Sequence, residues 1–220
     1  MLTFPAKGIG MRLAFTISCI VAVLACTSSR AEPRSESSKK ALEILQKTKS
    51  TRATYAVYNR DHVGFPGGKS FVGTSAEFHS GTLHRVETSL GNVIADCEKK
   101  FGWSVEFNTG KRSEGEQVAN SACGINTNFE LNSAEWLGAF DTSFGRVDRI
   151  QVRDDDNVRT YDVLHNGALL RATYEPLAEG GAQVWQETLA VSDRLPSHRM
   201  FDPSTLEESF IPADYQQLGE

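Results

Sequence analysis

Strand-like runs separated by short turns fill the chain from residue 53 to residue 191. The clearest pair is 158–164 and 168–174, which flanks Asn166-Gly167, because Asn-Gly between alternating runs is a strong hairpin signal. Further runs are found at about 53–59, 69–78, 82–88, 92–97, 101–107, 147–152 and 184–191. Short strands at such regular spacing predict a mainly antiparallel β-structure, either a curved sheet or an unclosed β-barrel.

Two segments have helical rather than alternating spacing. Ala41, Ile44 and Leu45 share one helical face, which predicts an amphipathic N-terminal helix over about 37–49. Ser133 can cap a second helix near 133–141, whose apolar residues are Ala134, Trp136, Leu137, Ala139 and Phe140. The polar stretch 111–128 gives no assignment. The expected fold class is therefore α+β.

The N-terminus has the parts of a secretory signal. Arg12 precedes an uncharged, mainly apolar run over 13–25, which is shorter than the roughly 20 apolar residues of a membrane-spanning helix. Small residues at Ser29 and Ala31 predict cleavage after Ala31, so that 1–31 is a signal peptide and 32–220 a single mainly-β domain. Either Met1 or Met11 can be the true start.

A second processing site competes with the first. Val23-Leu24-Ala25-Cys26 is similar to a bacterial lipobox, and cleavage there would leave a lipidated Cys26 at the new N-terminus. The protein is thus expected to be periplasmic or secreted, or alternatively lipid-anchored in the cell envelope.

The charge balance excludes some partner classes. The chain has a net charge of −5, and removal of residues 1–31 takes away Lys7, Arg12 and Arg30 but no acid. Nucleic acids and anionic lipid headgroups both favour clustered Lys and Arg. We therefore expect no nucleic-acid partner and no electrostatic attachment to a membrane.

Two cysteines, Cys97 and Cys123, follow the predicted signal. In an oxidising compartment they would most simply form one disulfide. A nucleophilic or redox-active thiol is the alternative, although neither cysteine belongs to a CxxC motif.

The sequence contains no catalytic or cofactor-binding motif that we can identify. GxSxG, P-loop and GxGxxG patterns are absent, and the five histidines do not have metal-binding spacing. His84 and Arg85 are adjacent in a strand and should face opposite ways. The run Asp154-Asp155-Asp156-Asn157 fits a hairpin loop better than a calcium site. The expectation is a non-enzymatic protein without cofactor or metal.

One stretch resembles a known family. Residues 80–88 (SGTLHRVET), 92–97 (NVIADC) and 102–105 (GWSV) are similar to the periplasmic lipoprotein-carrier (LolA/LolB-like) group, in which an arginine-bearing strand precedes a "VIADG" turn and an aromatic strand. The resemblance implies an unclosed β-barrel, helices that form a lid, and an apolar acyl-binding cavity. Cys97 stands where the turn glycine is expected, which argues against a hinged lid.

The functional hypothesis is an envelope protein that binds an apolar ligand, such as a lipid or acyl chain. Arg85 is expected near the mouth of the cavity, with Trp103, Phe107 and Trp136 lining it. Because aromatic residues along the chain equally suit a packed interior, the alternative is an envelope structural or protein-interaction module with a filled core. Other envelope proteins are possible partners in either case.

Overall fold

A computed structural model describes residues 35–125 and 133–216. The predicted signal peptide 1–31 and Cys26 lie outside the described residues. The helices are α1 (Glu36–Ser50), α2 (Glu116–Ala122) and the short α3 (Ala213–Gln216). The strands are β1 (Thr54–Gly64), β2 (Ser70–Ser80), β3 (Leu83–Thr88), β4 (Gly91–Asp96), β5 (Phe101–Glu106), β6 (Arg112–Gly115), β7 (Ser133–Thr142), β8 (Gly145–Arg153), β9 (Asn157–Leu164), β10 (Leu169–Pro176) and β11 (Gln183–Ser192).

The strands form one antiparallel sheet of 11 members within the described ranges, in the order β6-β5-β4-β3-β2-β1-β11-β10-β9-β8-β7. Each half is a meander, and the first and last strands join the halves along the pairs from Ala56–Ser192 to Gly64–Gln183. Strands β6 and β7 end the sheet and do not pair with each other. The predicted α+β class with an unclosed, mainly antiparallel sheet is confirmed.

Helix α1 confirms the amphipathic helix predicted from the N-terminal spacing. Ser35 caps it by accepting a hydrogen bond from the Ser38 backbone N–H. Its buried residues Ala41, Ile44 and Leu45 join a core cluster with residues of β7 to β10. Among the residues that the structure describes, no helix has both the length and the apolar character needed to cross a bilayer.

The predicted helix near 133–141 is wrong, because this segment is strand β7. The register of β7 against β8 shifts between Trp136 and Gly138, and Gly138 has a positive φ of 133°. A bulge of this kind inserts one residue into the strand, so side chains before and after it no longer alternate between the two faces with a period of two. Trp136, Leu137, Ala139 and Phe140 therefore acquire a spacing that imitates a helical face.

The two faces of the β1–β5 half are covered by different parts of the chain. Helix α2 covers one face, where Ala119 and Ala122 pack on Ala95. We call this the helix face. The opposite face carries Phe78 and Arg85 and is covered by the C-terminal segment, which we define as residues 197–216.

The β10–β11 boundary is the least continuous part of the sheet. Strands β10 and β11 are paired at Thr173–Trp185 and Tyr174–Val184. Strands β1 and β11, in contrast, are paired along most of their length. An open cleft of about 370 Å³ lies at this boundary and includes Leu170, Trp185 and Gln186 in its lining.

Candidate functional site

A partly enclosed cavity of about 340 Å³ lies on the helix face, between the sheet and the end of α2. Strands β1, β2, β3, β9, β10 and β11 contribute its floor, and the chain at the end of α2 contributes its cover. The lining residues are Tyr55, Glu77, His84, Val86, Thr88, Ser121, Ala122, Gly124, Ile125, Arg159, Tyr161, Gly167, Leu169, Tyr174 and Gln186. Polar and apolar groups are thus mixed in its wall.

The cover of the cavity is fixed at several points. The Cys97–Cys123 disulfide, with a Cα–Cα distance of 5.6 Å, joins the β4–β5 turn to the end of α2. Gly124 has a φ of +72°, and a Cβ there would lie 2.8 Å from the Lys49 backbone nitrogen. The Ile125 N–H donates to Thr48 Oγ1 at 3.3 Å. The predicted disulfide is therefore present, and it holds a wall of the cavity.

A hydrogen-bonded histidine pair lies beside the cavity floor. His79 Nε2 is 2.9 Å from the Thr51 carbonyl oxygen and 3.0 Å from that of Gly81. Since carbonyls only accept, Nε2 of His79 carries a proton, and in the neutral ring Nδ1 is an acceptor. His84 Nδ1, 2.8 Å away, must then be the donor. His84 Nε2 is left with a lone pair, 3.9 Å from Glu77 Oε2.

Burial keeps both histidines neutral near physiological pH. Desolvation, and secondly the neighbouring His79, lower the pKa of His84 to about 3. Desolvation also lowers the pKa of His79, although its bonds to the two carbonyls oppose the shift. His84 is consequently a hydrogen-bond acceptor toward the cavity and not a charge.

Among the described residues of the lining, Glu77 is the acidic one, and its side chain is 21% exposed. Burial, and secondly the charge of Asp61, raise the pKa of Glu77 to about 7. Asp61 lies behind Gln186, whose Nε2 donates to Asp61 Oδ1 at 2.8 Å, and it also accepts from Ser75 Oγ at 2.8 Å. Burial raises the pKa of Asp61 as well, against the effect of these two hydrogen bonds.

The pKa of Glu77 leads to a pH-dependent stability. Because the folded pKa of about 7 lies above the ordinary value of 4.5, the folded protein binds more protons than the unfolded chain between these values. The stability then falls as the pH rises through this window. Glu77→Gln should therefore raise the free energy of unfolding at pH 8 by about 2 kcal/mol, after discounting the full shift for the partial exposure of the side chain.

Urea unfolding at pH 5 and pH 8 measures this effect. At pH 5 the difference should shrink to about 0.5 kcal/mol, because the folded carboxyl is then protonated and only the unfolded one is ionised. Glu135→Gln, on an exposed position of β7, makes the same charge change outside the cavity and should be without effect at either pH. Equal stability of wild type and Glu77→Gln at pH 8 would contradict the raised pKa.

The far wall of the cavity carries an ion pair. Arg159 and Asp154 are each 3% exposed, and Arg159 Nη2 lies 3.1 Å from Asp154 Oδ2. Asp154 also accepts from the backbone N–H groups of Asp156 and Asn157, which closes the β8–β9 turn. The acidic run is thus a hairpin turn, as expected, with its first residue buried rather than solvated.

Arg85 does not lie at the mouth of this cavity. It is 0% exposed on the opposite face, where its Nε donates to Glu87 Oε1 at 2.6 Å and its Nη1 to the Met200 carbonyl at 2.8 Å. Its Nη2 donates to the carbonyls of Thr205 and Glu208. Arg85 thus binds the C-terminal segment. The expectation that His84 and Arg85 face opposite ways is correct.

The three aromatic residues proposed as cavity lining have three different surroundings. Trp103 packs beside the Ile94, Val105 and Leu206 cluster on the face of Arg85. Phe107 is 46% exposed and lines an open groove of about 450 Å³. Trp136 donates from Nε1 to Asp148 Oδ1 at 2.9 Å and contacts Lys40. The structure does not bring these residues and Arg85 together around one cavity.

The sequence contains a signal for the polar site. His79 and His84 face each other across the β2–β3 hairpin, and Glu77 lies two residues before His79 on the same face. The spacing Glu-x-His-x₄-His around Ser80-Gly81 therefore indicates three polar side chains on one face. Local motifs such as HExxH do not include this cross-strand pattern, so a search for them does not find it.

Comparisons with known proteins give distant structural likenesses. No family model matches the sequence, and no curated protein matches it significantly. The fold is similar to a LolA superfamily protein from Nitrosomonas europaea, with 8% identity, a TM-score of 0.42, and coverage of 78% of this chain and 100% of that one. It is also similar to an outer membrane lipoprotein-sorting protein domain from Vibrio parahaemolyticus, with 10% identity, a TM-score of 0.38, and coverage of 77% and 99%.

Proposed function

We propose that this protein binds an apolar or amphiphilic single-chain molecule, such as a lipid fragment or acyl chain, in the cavity on the helix face. The observation that carries the proposal is the cavity of about 340 Å³ that remains beneath α2 while the neighbouring clusters are packed. Small-molecule pockets occupy about 300–1,000 Å³, so this cavity is at the lower end of their range.

The walls of the cavity support a preformed site. The disulfide and the close approach of Gly124 to α1 hold the cover in place without a ligand. A preformed pocket avoids part of the ordering cost of binding. Val86, Ile125 and Leu169 offer apolar surface to a chain, while Glu77 and His84 offer polar groups to one end of it.

We propose a binding role rather than an enzymatic one. His84, with its pKa near 3, is a poor proton acceptor at neutral pH. Two aliphatic hydroxyl groups occur in the described part of the lining, and both bond elsewhere. Ser121 Oγ donates to the Val118 carbonyl at 2.7 Å, and Thr88 Oγ1 donates to the Gly91 carbonyl at 2.9 Å. Neither is activated by His84, as a nucleophile would need.

The proposed setting is the cell envelope, reached through the N-terminal signal. A disulfide that holds a cavity wall requires an oxidising compartment, which supports export. Both processing routes, removal of residues 1–31 and lipidation of Cys26, lead to this setting.

Filling the cavity tests the binding proposal. Decanol should bind the wild type, and at about a hundredfold excess over Kd it should stabilise the fold by about 2.7 kcal/mol. Leu169→Trp places a larger side chain in the lining and should abolish this stabilisation. Isothermal titration calorimetry and thermal melts with and without decanol measure both effects.

Leu177→Trp is the matched control, since Leu177 lies just after β10 and is 42% exposed. It should bind decanol like the wild type. If neither decanol nor its charged ten-carbon analogues bind the wild type or raise its Tm, the binding proposal is wrong and the alternative, an interaction module with a filled core, takes its place. The exposed Phe71 and Phe107 of the open groove would then be the first surface to examine.

A further inference from the structure

The polar end of the cavity presents two acceptors to a ligand. Glu77 Oε2 accepts as a carboxylate, and His84 Nε2 accepts because the hydrogen bonds of His79 fix the tautomer of the pair. The two atoms are 3.9 Å apart, which is too long for a hydrogen bond between them. One donor group placed between them can reach both at hydrogen-bond distance.

The charges around this point favour a cation. Burial, and secondly the negative charge of Asp61, raise the pKa of Glu77, so that the surroundings of this carboxyl are acidic. Among the described residues that line the cavity, Arg159 is the single Lys or Arg side chain, and Asp154 balances its charge at 3.1 Å. The carboxylate of Glu77 therefore has no cationic group of its own in the described lining.

Apolar surface continues from the polar end. Val86, Ala122, Ile125 and Leu169 line the same cavity as Glu77 and His84. A ligand with a charged head and a single hydrocarbon chain would contact both kinds of surface. A primary ammonium group has three donors and no acceptor, which matches the two acceptors of the site.

We infer that the cavity selects a single-chain amphiphile with a primary ammonium head, held between Glu77 and His84. This inference rests on the proposed binding function and adds the chemical class of the ligand head. A carboxylate head would place a second anion beside Glu77, and a hydroxyl head would carry no charge to complement it.

Three probes with the same hydrocarbon chain distinguish the contribution of the head group to binding from that of the chain. Decylamine, decanoate and decanol are titrated into the full-length mature protein at pH 8 by calorimetry. Decylamine should bind about tenfold more tightly than decanol, and decanoate more weakly than decanol. Glu77→Gln should reduce the affinity for decylamine to that for decanol. Glu135→Gln, on the exposed part of β7, should leave the order of the three affinities unchanged.

The affinity for decylamine should also depend on pH. The groups that face or surround Glu77 are Asp61, Tyr55, His84, Tyr174 and Arg159. His84 is neutral throughout the range from pH 6 to pH 8, and the tyrosine pKa values are raised further by burial. Because the pKa of Glu77 is near 7, its protonation should lower the affinity for decylamine by up to about tenfold between pH 8 and pH 6. Asp61→Asn removes the charge that raises this pKa and should move the midpoint to lower pH.

The outcomes distinguish the two proposals. If decanol binds but decylamine is no tighter, or if decanoate is the tightest, the ammonium inference is overturned and the binding function stands. If none of the three probes binds a correctly folded wild type, both fail. Tighter decylamine binding that Glu77→Gln does not reduce also overturns the inference, because the head would then lie elsewhere.

Discussion

Replacing Arg85 with methionine should lower the free energy of unfolding by about 3–5 kcal/mol, because the change leaves Glu87 buried without its ionic partner. The same substitution removes the donors that hold the carbonyls of Met200, Thr205 and Glu208. For a domain of this size the Tm should fall by roughly 6–20 °C. Urea unfolding at 25 °C gives the free energy, and a thermal melt gives the Tm.

Arg199→Met is the matched control for this prediction. Arg199 lies within the C-terminal segment and pairs with Glu208 of the same segment, and both side chains are about half exposed. Exposed pairs contribute little to stability, so the control should melt close to the wild type. If Arg85→Met had unchanged stability but altered ligand affinity, the structural role of Arg85 would be contradicted. The hypothesis that Arg85 lies at the mouth of a cavity would then be favoured.

Removing the disulfide should have the second largest effect. Cys97 and Cys123 are 26 residues apart, and closing such a loop stabilises a fold by about 3–4 kcal/mol on the chain-entropy relation. The double variant Cys97→Ala/Cys123→Ala should lose this amount in urea unfolding under non-reducing conditions. The wild type should lose a comparable amount when a reductant is present.

Addition of the reductant to the double variant is the control and should change nothing. Labelling of the native wild type by a thiol reagent would show that the two cysteines are free and would contradict the bridge. Equal stability of the oxidised and reduced wild type would instead mean that packing alone holds α2 in place.

The sheet is largely predictable because its signals are local. Alternation and the Asn166-Gly167 turn identify β9 and β10, and the spacing of Ala41, Ile44 and Leu45 identifies α1. Strand β7 is misread since the bulge before Gly138 changes its period. Helix α2 is missed because its short polar sequence depends on contacts of Ala119 and Ala122 with the sheet.

The candidate site is less predictable because it depends on which face of the sheet α2 and the C-terminal segment pack against. Arg85 is correctly assigned to a strand. The residues next to it in the sequence do not indicate that residues 200–210 pack over its side chain. Aromatic residues such as Trp103 and Trp136 are predicted to share a cavity on the basis of residue type alone. The Cys97–Cys123 disulfide of the cavity wall is predicted correctly, whereas the hairpin pair His79 and His84 is missed although its spacing places both rings on one face.

The pairing of the first strand with the last has a consequence for the timing of folding. Ala56 on β1 meets Ser192 on β11, so the centre of the sheet cannot form until almost the whole chain has been synthesised. The guanidinium of Arg85 likewise waits for carbonyls beyond residue 199. Pairings between distant parts of a sequence slow folding, since loop closure must come before the contact. A nascent chain of this design stays without its native centre during synthesis, which is the condition in which a polypeptide can be threaded across a membrane before it folds.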